Sequence, residues 1–363
     1  MYKLREVQSV QVEISSHCNA ACPQCPRNFF GGSTLPDLPL RRWSLAEFKN
    51  IFTLDFLQQL ENFYFCGTYG DPMTNNRIVD MCQFLRNNNP KIKIGIHTNG
   101  GAGKKELYQN LATTVDFIAF GLDGLNDTNH VYRRRTNWRK IMQHARSFID
   151  AGGYAIWDFI VFQHNEHQVD QAHKLSQEIG FKEFCVKKTG RFLTRAHELI
   201  EYQNVLDPKG FVEYKIKPPT QQKYVNDGFD PIAKMTRSEF QHYLDTCQIK
   251  CNAEKIREIY IGADGFVFPC GWLHDRLYGP EVSGHKDHAH IKTLMNQIGG
   301  WHHANIFYND LRNIVDGAWF EIISNSWADS NRIERCAMMC GDRLNIIGPQ
   351  NSNINYRPRT VEL

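Results

Sequence analysis

A chain of 363 residues is long enough for one large domain plus a smaller one with a sizeable core. Its 42 basic and 39 acidic side chains leave a formal charge of +3, which gives no electrostatic basis for nucleic acid or an anionic membrane as the main partner. Residues 1–15 carry no charged-then-apolar signal, and no apolar run approaches the roughly 20 residues a membrane span needs. The chain is therefore expected in the cytoplasm, with a small molecule or a peptide as its partner.

From residue 7 to about 190, β-branched and aromatic runs alternate with segments of helical period. Strands are predicted at VQVEI (10–14), NFYFC (62–66), IKIGIH (92–97), FIAFGL (117–122), AIWDFIVF (155–162) and EFCVK (183–187). The clearest helix puts Val169, Ala172, Leu175 and Ile179 on one face, with Gly180 as its stop. Repeated strand-then-helix units predict an α/β fold over residues 1–191, six parallel strands covered by helices, as a barrel or an open arc. Function is then expected where loops collect, at the C-terminal ends of the strands.

After Arg191 the alternation stops. Residues 192–246 contain Pro208, Pro218, Pro219 and Pro231 and read as a linker with irregular helices that helps shape a substrate pocket. A second unit is expected over 247–347, where 259–261 and 266–268 flank Gly262-Ala-Asp-Gly265 as a hairpin would. The tail, 348–363, is polar and expected to be loose.

Eleven cysteines without a secretory signal argue for metal or cluster ligation rather than a disulfide framework. Cys18, Cys22 and Cys25 lie in HCNAACPQCPRN, straight after the first strand, where Pro23 and Pro26 discourage a helix and leave a loop able to wrap its thiolates around a compact object. Three cysteines can hold three irons of a 4Fe-4S cubane and leave the fourth iron open, whereas zinc needs a fourth ligand, with His17 adjacent. Five more thiols, Cys247, Cys251, Cys270, Cys336 and Cys340, are available for a second site that needs four, with zinc the competing occupant. Cys66, Cys82 and Cys185 lie in or beside apolar runs and read as core. The histidines of 284–290 and the pair His302-His303 offer metal ligands but read first as surface or lid loop. Asp158 interrupts an otherwise apolar strand, so it either faces a cofactor or substrate or forms a buried ion pair.

The cysteine, three residues, cysteine, two residues, cysteine spacing resembles the signature of the radical S-adenosylmethionine (SAM) superfamily. Further features follow in the family's order over residues 7 to about 190. Cys66-Gly-Thr-Tyr-Gly-Asp-Pro72 is similar to its glycine-rich turn, and Thr98-Asn99-Gly100 and Leu122-Asp123-Gly124 followed by Tyr132-Arg133 are also similar. Gln24, Asp71 and Gly121 stand where an aromatic, a glutamate and a serine are commoner. The resemblance implies a partial (β/α)6 TIM-like barrel, a 4Fe-4S cluster on Cys18, Cys22 and Cys25, and SAM chelated at the open iron. Gly67, Tyr69, Gly70, Asp71, Thr98, Asn99, Asp123, Arg133 and Asp158 would contact it, with Asp71 on its ammonium and Arg133 on its carboxylate. Residues 251–270 resemble the start of the SPASM and twitch extensions, implying a small C-terminal hairpin and helix domain with one auxiliary 4Fe-4S cluster, Cys251 and Cys270 its firmest ligands.

The implied activity is reductive cleavage of SAM to a 5′-deoxyadenosyl radical that abstracts hydrogen from a peptide or small metabolite, with an external flavodoxin or ferredoxin as electron donor. A radical SAM methyltransferase or a non-catalytic zinc or iron-sulfur protein are the alternatives. No separate peptide-recognition module is expected before the first strand.

Overall fold

The computed structural model describes residues 1–192, 199–278, 286–328 and 332–343. All six strands predicted for the first part form: β1 Ser9–Val12, β2 Asn62–Phe65, β3 Lys93–Thr98, β4 Phe117–Gly121, β5 Ala155–Val161 and β6 Glu183–Lys188. They lie parallel and in sequence order, which brings all their C-terminal ends to one side. Helices cover the outer face. The predicted one, Val169–Ile179, stops at Gly180 with φ 98°.

The predicted C-terminal hairpin also forms, as β9 Glu258–Ile261 and β10 Val267–Phe268, but it does not stand apart. Strand β9 pairs in parallel with β1, so the sheet has eight strands in the order β10-β9-β1-β2-β3-β4-β5-β6. The free edge of β1 is thereby covered. Ile259, Ile261, Val267 and Phe268 share one buried core with Val10, Val12, Phe63 and Ile96.

Strand alternation sorts the remaining side chains to the inner face. Tyr64, Phe117, Ala119, Ile156 and Cys185 form an apolar plug separate from the main core. Two residues further along the same strands, the same face carries Cys66, Gly121, Asp158 and Lys187, and His97 follows Gly95 in the same way. A polar layer thus sits on the plug, facing the C-terminal ends.

Residues 192–246 hold more structure than a linker. An antiparallel pair, β7 Gln203–Leu206 and β8 Val212–Ile216, closes through Asp207-Pro-Lys-Gly210, where the Gly210 amide donates to the Asp207 carbonyl at 3.0 Å. It packs on the cysteine loop, with Gln203 Nε2 donating to Pro23 O at 3.2 Å and the Leu206 amide to Phe30 O at 3.0 Å. Helix Lys286–Gln297 replaces the loop expected around His288 and His290, with Asp287 buried on its first turn. His285 and the tail 348–363 lie outside the described residues. None of the helices among the described residues is long and apolar enough to cross a membrane.

Candidate functional site

Parallel strands deliver their loops to one end, and the predicted residues gather there. The three thiols of the loop after β1 lie within electrostatic reach of each other, and burial pushes all of them up, Cys22 to about 11. Protein donors surround them. Asn99 Nδ2 lies 3.6 Å from Cys18 Sγ, the Ala20 amide 3.4 Å from the same sulfur, and Arg133 Nη1 4.0 Å from Cys22 Sγ, opposing the effect of burial there. Cys25 Sγ lies 3.7 Å from Thr68 O. A set of thiols costly to ionise alone but flanked by N–H donors and a guanidinium fits a bound cationic cluster, which takes up thiolate charge and releases the protons.

Arg133 is positioned by Asp123, whose Oδ2 takes Arg133 Nε at 2.6 Å while Oδ1 accepts the Ile160 amide at 2.7 Å. Burial raises Asp123 and Arg133 opposes that. Gly121 makes the room: a Cβ there would stand 2.6 Å from Arg133 Nη2 and 3.3 Å from His97 Nε2. The serine common at this position would displace the guanidinium.

Asp158 is in the polar layer and its ion pair is real: Lys187 Nζ approaches Oδ2 at 2.5 Å and His97 Nε2 at 3.6 Å. Burial raises Asp158 while Lys187 and Arg133 lower it. Burial, with Lys187 and Arg133, pushes His97 down to about 3, so its imidazole is neutral although a third of the side chain is exposed. Tyr64 beneath them is buried with its hydroxyl unpartnered. Sequence reasoning missed His97 and Lys187. Both share the strand parity of Asp158 across neighbouring strands, a signal visible once the pairing order is known.

The residues expected to contact SAM in the loop after β2 are also held by the protein itself. Asp71 is buried and accepts from four donors: the Met73 amide at 3.0 Å, the Thr98 hydroxyl at 2.9 Å, the Asn99 amide at 2.8 Å and Asn99 Nδ2 at 2.7 Å. Through these bonds Asp71 ties this loop to the end of β3. Gly67 and Gly70 are demanded by protein backbone, since a Cβ on Gly67 would strike Gly70 O and one on Gly70 would strike Ser15 O. Tyr69 turns away from the cysteine trio: its hydroxyl donates to His274 O at 3.0 Å.

The C-terminal thiols divide four and one. Cys251 donates to Cys340, which lowers Cys340 to about 7 and raises Cys251, and Cys270 and Cys336 feel the same thiols. Burial, with Cys340, pushes Cys270 up to about 12. Cys247 belongs elsewhere, in a small cluster with Phe240, Tyr243, Leu244 and Ala337, where its thiol lies 3.9 Å from Ala337 O. Among the described residues no three or more His, Cys, Asp or Glu side chains are gathered tightly enough for a single metal ion. A cubane places each thiolate on its own iron and needs no such common point.

Residues 12–175 match the family described as the Radical SAM superfamily. This match over residues 12–175 supports an enzyme, and the matching family implies a 4Fe-4S cluster and SAM. No curated protein matches the chain. Among solved structures, Streptococcus suis SuiB is similar at 15% identity and TM-score 0.51, covering 86% of this chain and 65% of that one. SuiB bound to precursor peptide SuiA matches at 14% identity and TM-score 0.51, with 87% and 66% covered. The anSMEcpe protein with bound AdoMet and Cp18Cys peptide matches at 16% identity and TM-score 0.54, with 92% and 88% covered. At such identities the likeness is one of fold. The chain spans 61% to 66% of the SuiB chains' length.

Proposed function

We propose that this enzyme cleaves SAM reductively and uses the radical so formed to abstract hydrogen from a substrate at the mouth of the barrel. The observation that carries this is the meeting of Cys18, Cys22 and Cys25 beside Asn99 and Arg133 at the C-terminal end of the parallel sheet. When bound, a 4Fe-4S cluster on these thiolates supplies an open iron for the amino and carboxylate groups of SAM and the electron that breaks its sulfur–carbon bond. The chain's own residues supply placement. Asn99 and Arg133 donate toward the sulfurs, and Arg133, steadied by Asp123, presents its terminal nitrogens to a carboxylate. His97, Asp158 and Lys187 make the polar floor on which the nucleoside or the substrate rests.

Cys251, Cys270, Cys336 and Cys340 are the set we assign to one auxiliary 4Fe-4S cluster within the 247–347 unit, exchanging the substrate electron, with a flavodoxin or ferredoxin as external donor. A peptide is the substrate class we favour over a small metabolite, supported by the peptide complexes of two similar folds. Anaerobic incubation of the reconstituted chain with SAM and dithionite is expected to yield 5′-deoxyadenosine, with deuterium entering it from labelled substrate peptides. S-adenosylhomocysteine in its place would instead identify a methyltransferase.

A further inference from the structure

The loop 66–72 has two sides. One faces the first thiol site, where Thr68 O lies 3.7 Å from Cys25 Sγ. The other is gripped from both ends of the chain, by Glu13, Arg27, Leu35 and Leu38 and by residues of the C-terminal third. Thr68 Oγ1 donates to the Tyr260 hydroxyl of β9 at 2.8 Å, and Tyr69 donates its hydroxyl to His274 O at 3.0 Å. The Tyr69 ring stands edge-on to those of His274 and Tyr278, with centroids 5.1 and 5.4 Å away.

Glu13, at the end of the first strand's segment, knots these contacts together. Its Oε2 accepts the Tyr69 amide at 3.0 Å, its Oε1 accepts the Tyr260 hydroxyl, and His274 Nδ1 stands 3.5 Å from Oε1. His274 Nε2 pairs with Asp264 at 3.0 Å, and Tyr278 donates to the same carboxylate at 2.7 Å. Glu13, Tyr69, Tyr260 and His274 are all at most 1% exposed. A network of buried, hydrogen-bonded charges is rigid when complete and costly when broken. Helix Gly271–His274 begins directly after Cys270 and ends on the residue whose carbonyl takes the Tyr69 hydroxyl.

We propose that Tyr69 and His274 are positioning residues through which the C-terminal thiol site sets loop 66–72 against Cys25 of the first thiol site, so that SAM affinity there depends on the state of Cys251, Cys270, Cys336 and Cys340. This rests on the SAM assignment made above. Within the loop Asp71 holds one end to β3 and Gly67 and Gly70 contribute no side chain, which leaves Thr68 and Tyr69 to reach the C-terminal region. Removing the Tyr69 hydroxyl keeps the ring contacts and deletes the one bond to His274.

The test is SAM affinity of the full reconstituted chain, read by titration calorimetry and by the SAM-induced change in the electron paramagnetic resonance of the reduced N-terminal cluster. Tyr69→Phe is expected to weaken binding about fivefold at unchanged iron content, equivalent to roughly 1 kcal/mol. Cys270→Ser, which empties the C-terminal site, is expected to weaken it at least as much while the N-terminal cluster signal persists. A merely structural role would lower the melting temperature and leave the affinity alone. Should Tyr69→Phe fail to fold, Tyr278→Phe, which loosens Asp264 one step further out, carries the same test with a smaller loss. SAM bound equally by the wild type and these variants overturns the brace alone. A wild type with its N-terminal cluster intact that binds no SAM overturns the SAM assignment and the brace with it.

Discussion

The two thiol sites are built in opposite ways. The first draws Cys18, Cys22 and Cys25 from eight consecutive residues, and the tertiary structure adds only the donors around them, Asn99 from the end of β3 and Arg133 from the loop after β4. The second collects Cys251 before β9, Cys270 after β10, and Cys336 and Cys340 from helix Glu334–Cys340. Its thiols act on one another and also take backbone amides, Glu254 at Cys251, Asn252 at Cys340, and Trp272 and Leu273 at Cys270. A local site is prepared by loop geometry and needs the fold to tune it, whereas a dispersed site exists only once the chain has folded. The first is accordingly the place for a ligand that must be electrostatically adjusted, and the second is coupled to the packing of the whole C-terminal third.

Changes that break the local site should have the largest effect. Replacing Cys18, Cys22 and Cys25 by alanine is expected to abolish 5′-deoxyadenosine formation and to reduce the bound iron from about eight to about four per chain, measured by product chromatography and iron assay. Next comes the brace between loop and strand. Asp71→Ala strands the Met73 and Asn99 amides, the Asn99 side chain and the Thr98 hydroxyl in a buried site, with a destabilisation of about 3 kcal/mol expected from urea unfolding.

A smaller, pH-dependent effect should mark the C-terminal region. Burial alone would push His274 down, but Asp264 and Glu13 raise it to about 10 from its ordinary 6.5. The folded chain then keeps a proton that the unfolded chain releases, so this contribution is complete below pH 6.5 and fades as the pH climbs through about 10. Glu258, raised by burial to about 8, lowers stability in the same direction from pH 4.5 upward. Melting temperatures of the metal-free chain should fall steadily between pH 6.5 and 10, and a flat profile would show that His274 is neutral. The smallest effect distinguishes the four thiols from the fifth: Cys247→Ser should leave the iron count unchanged, while Cys336→Ser should remove about four irons.

Much of this was legible along the chain. Six strands showed as β-branched and aromatic runs because a parallel sheet buried on both faces leaves little room for polar residues, and the hairpin showed through Gly262-Ala-Asp-Gly265. The β7–β8 pair was hidden because its strands are half polar and its prolines resemble those of a linker. The helix at Lys286–Gln297 was hidden by its histidines, which obscure an apolar stripe made of Ile291, Leu294 and Met295.

The sequence by itself determined the local chemistry: which strands form, where the first three thiols stand, and which loops must lie near them, since these follow from spacing along the chain. Only the tertiary structure decided that β9 extends the sheet beside β1, that Asp71 serves as a brace and that Tyr69 looks toward His274. It also decided that Cys247 stands apart from the other four thiols. Those outcomes depend on which distant backbone edge and which buried donor reach a residue first, and sheet pairing and the desolvation of buried polar groups settle that across hundreds of residues.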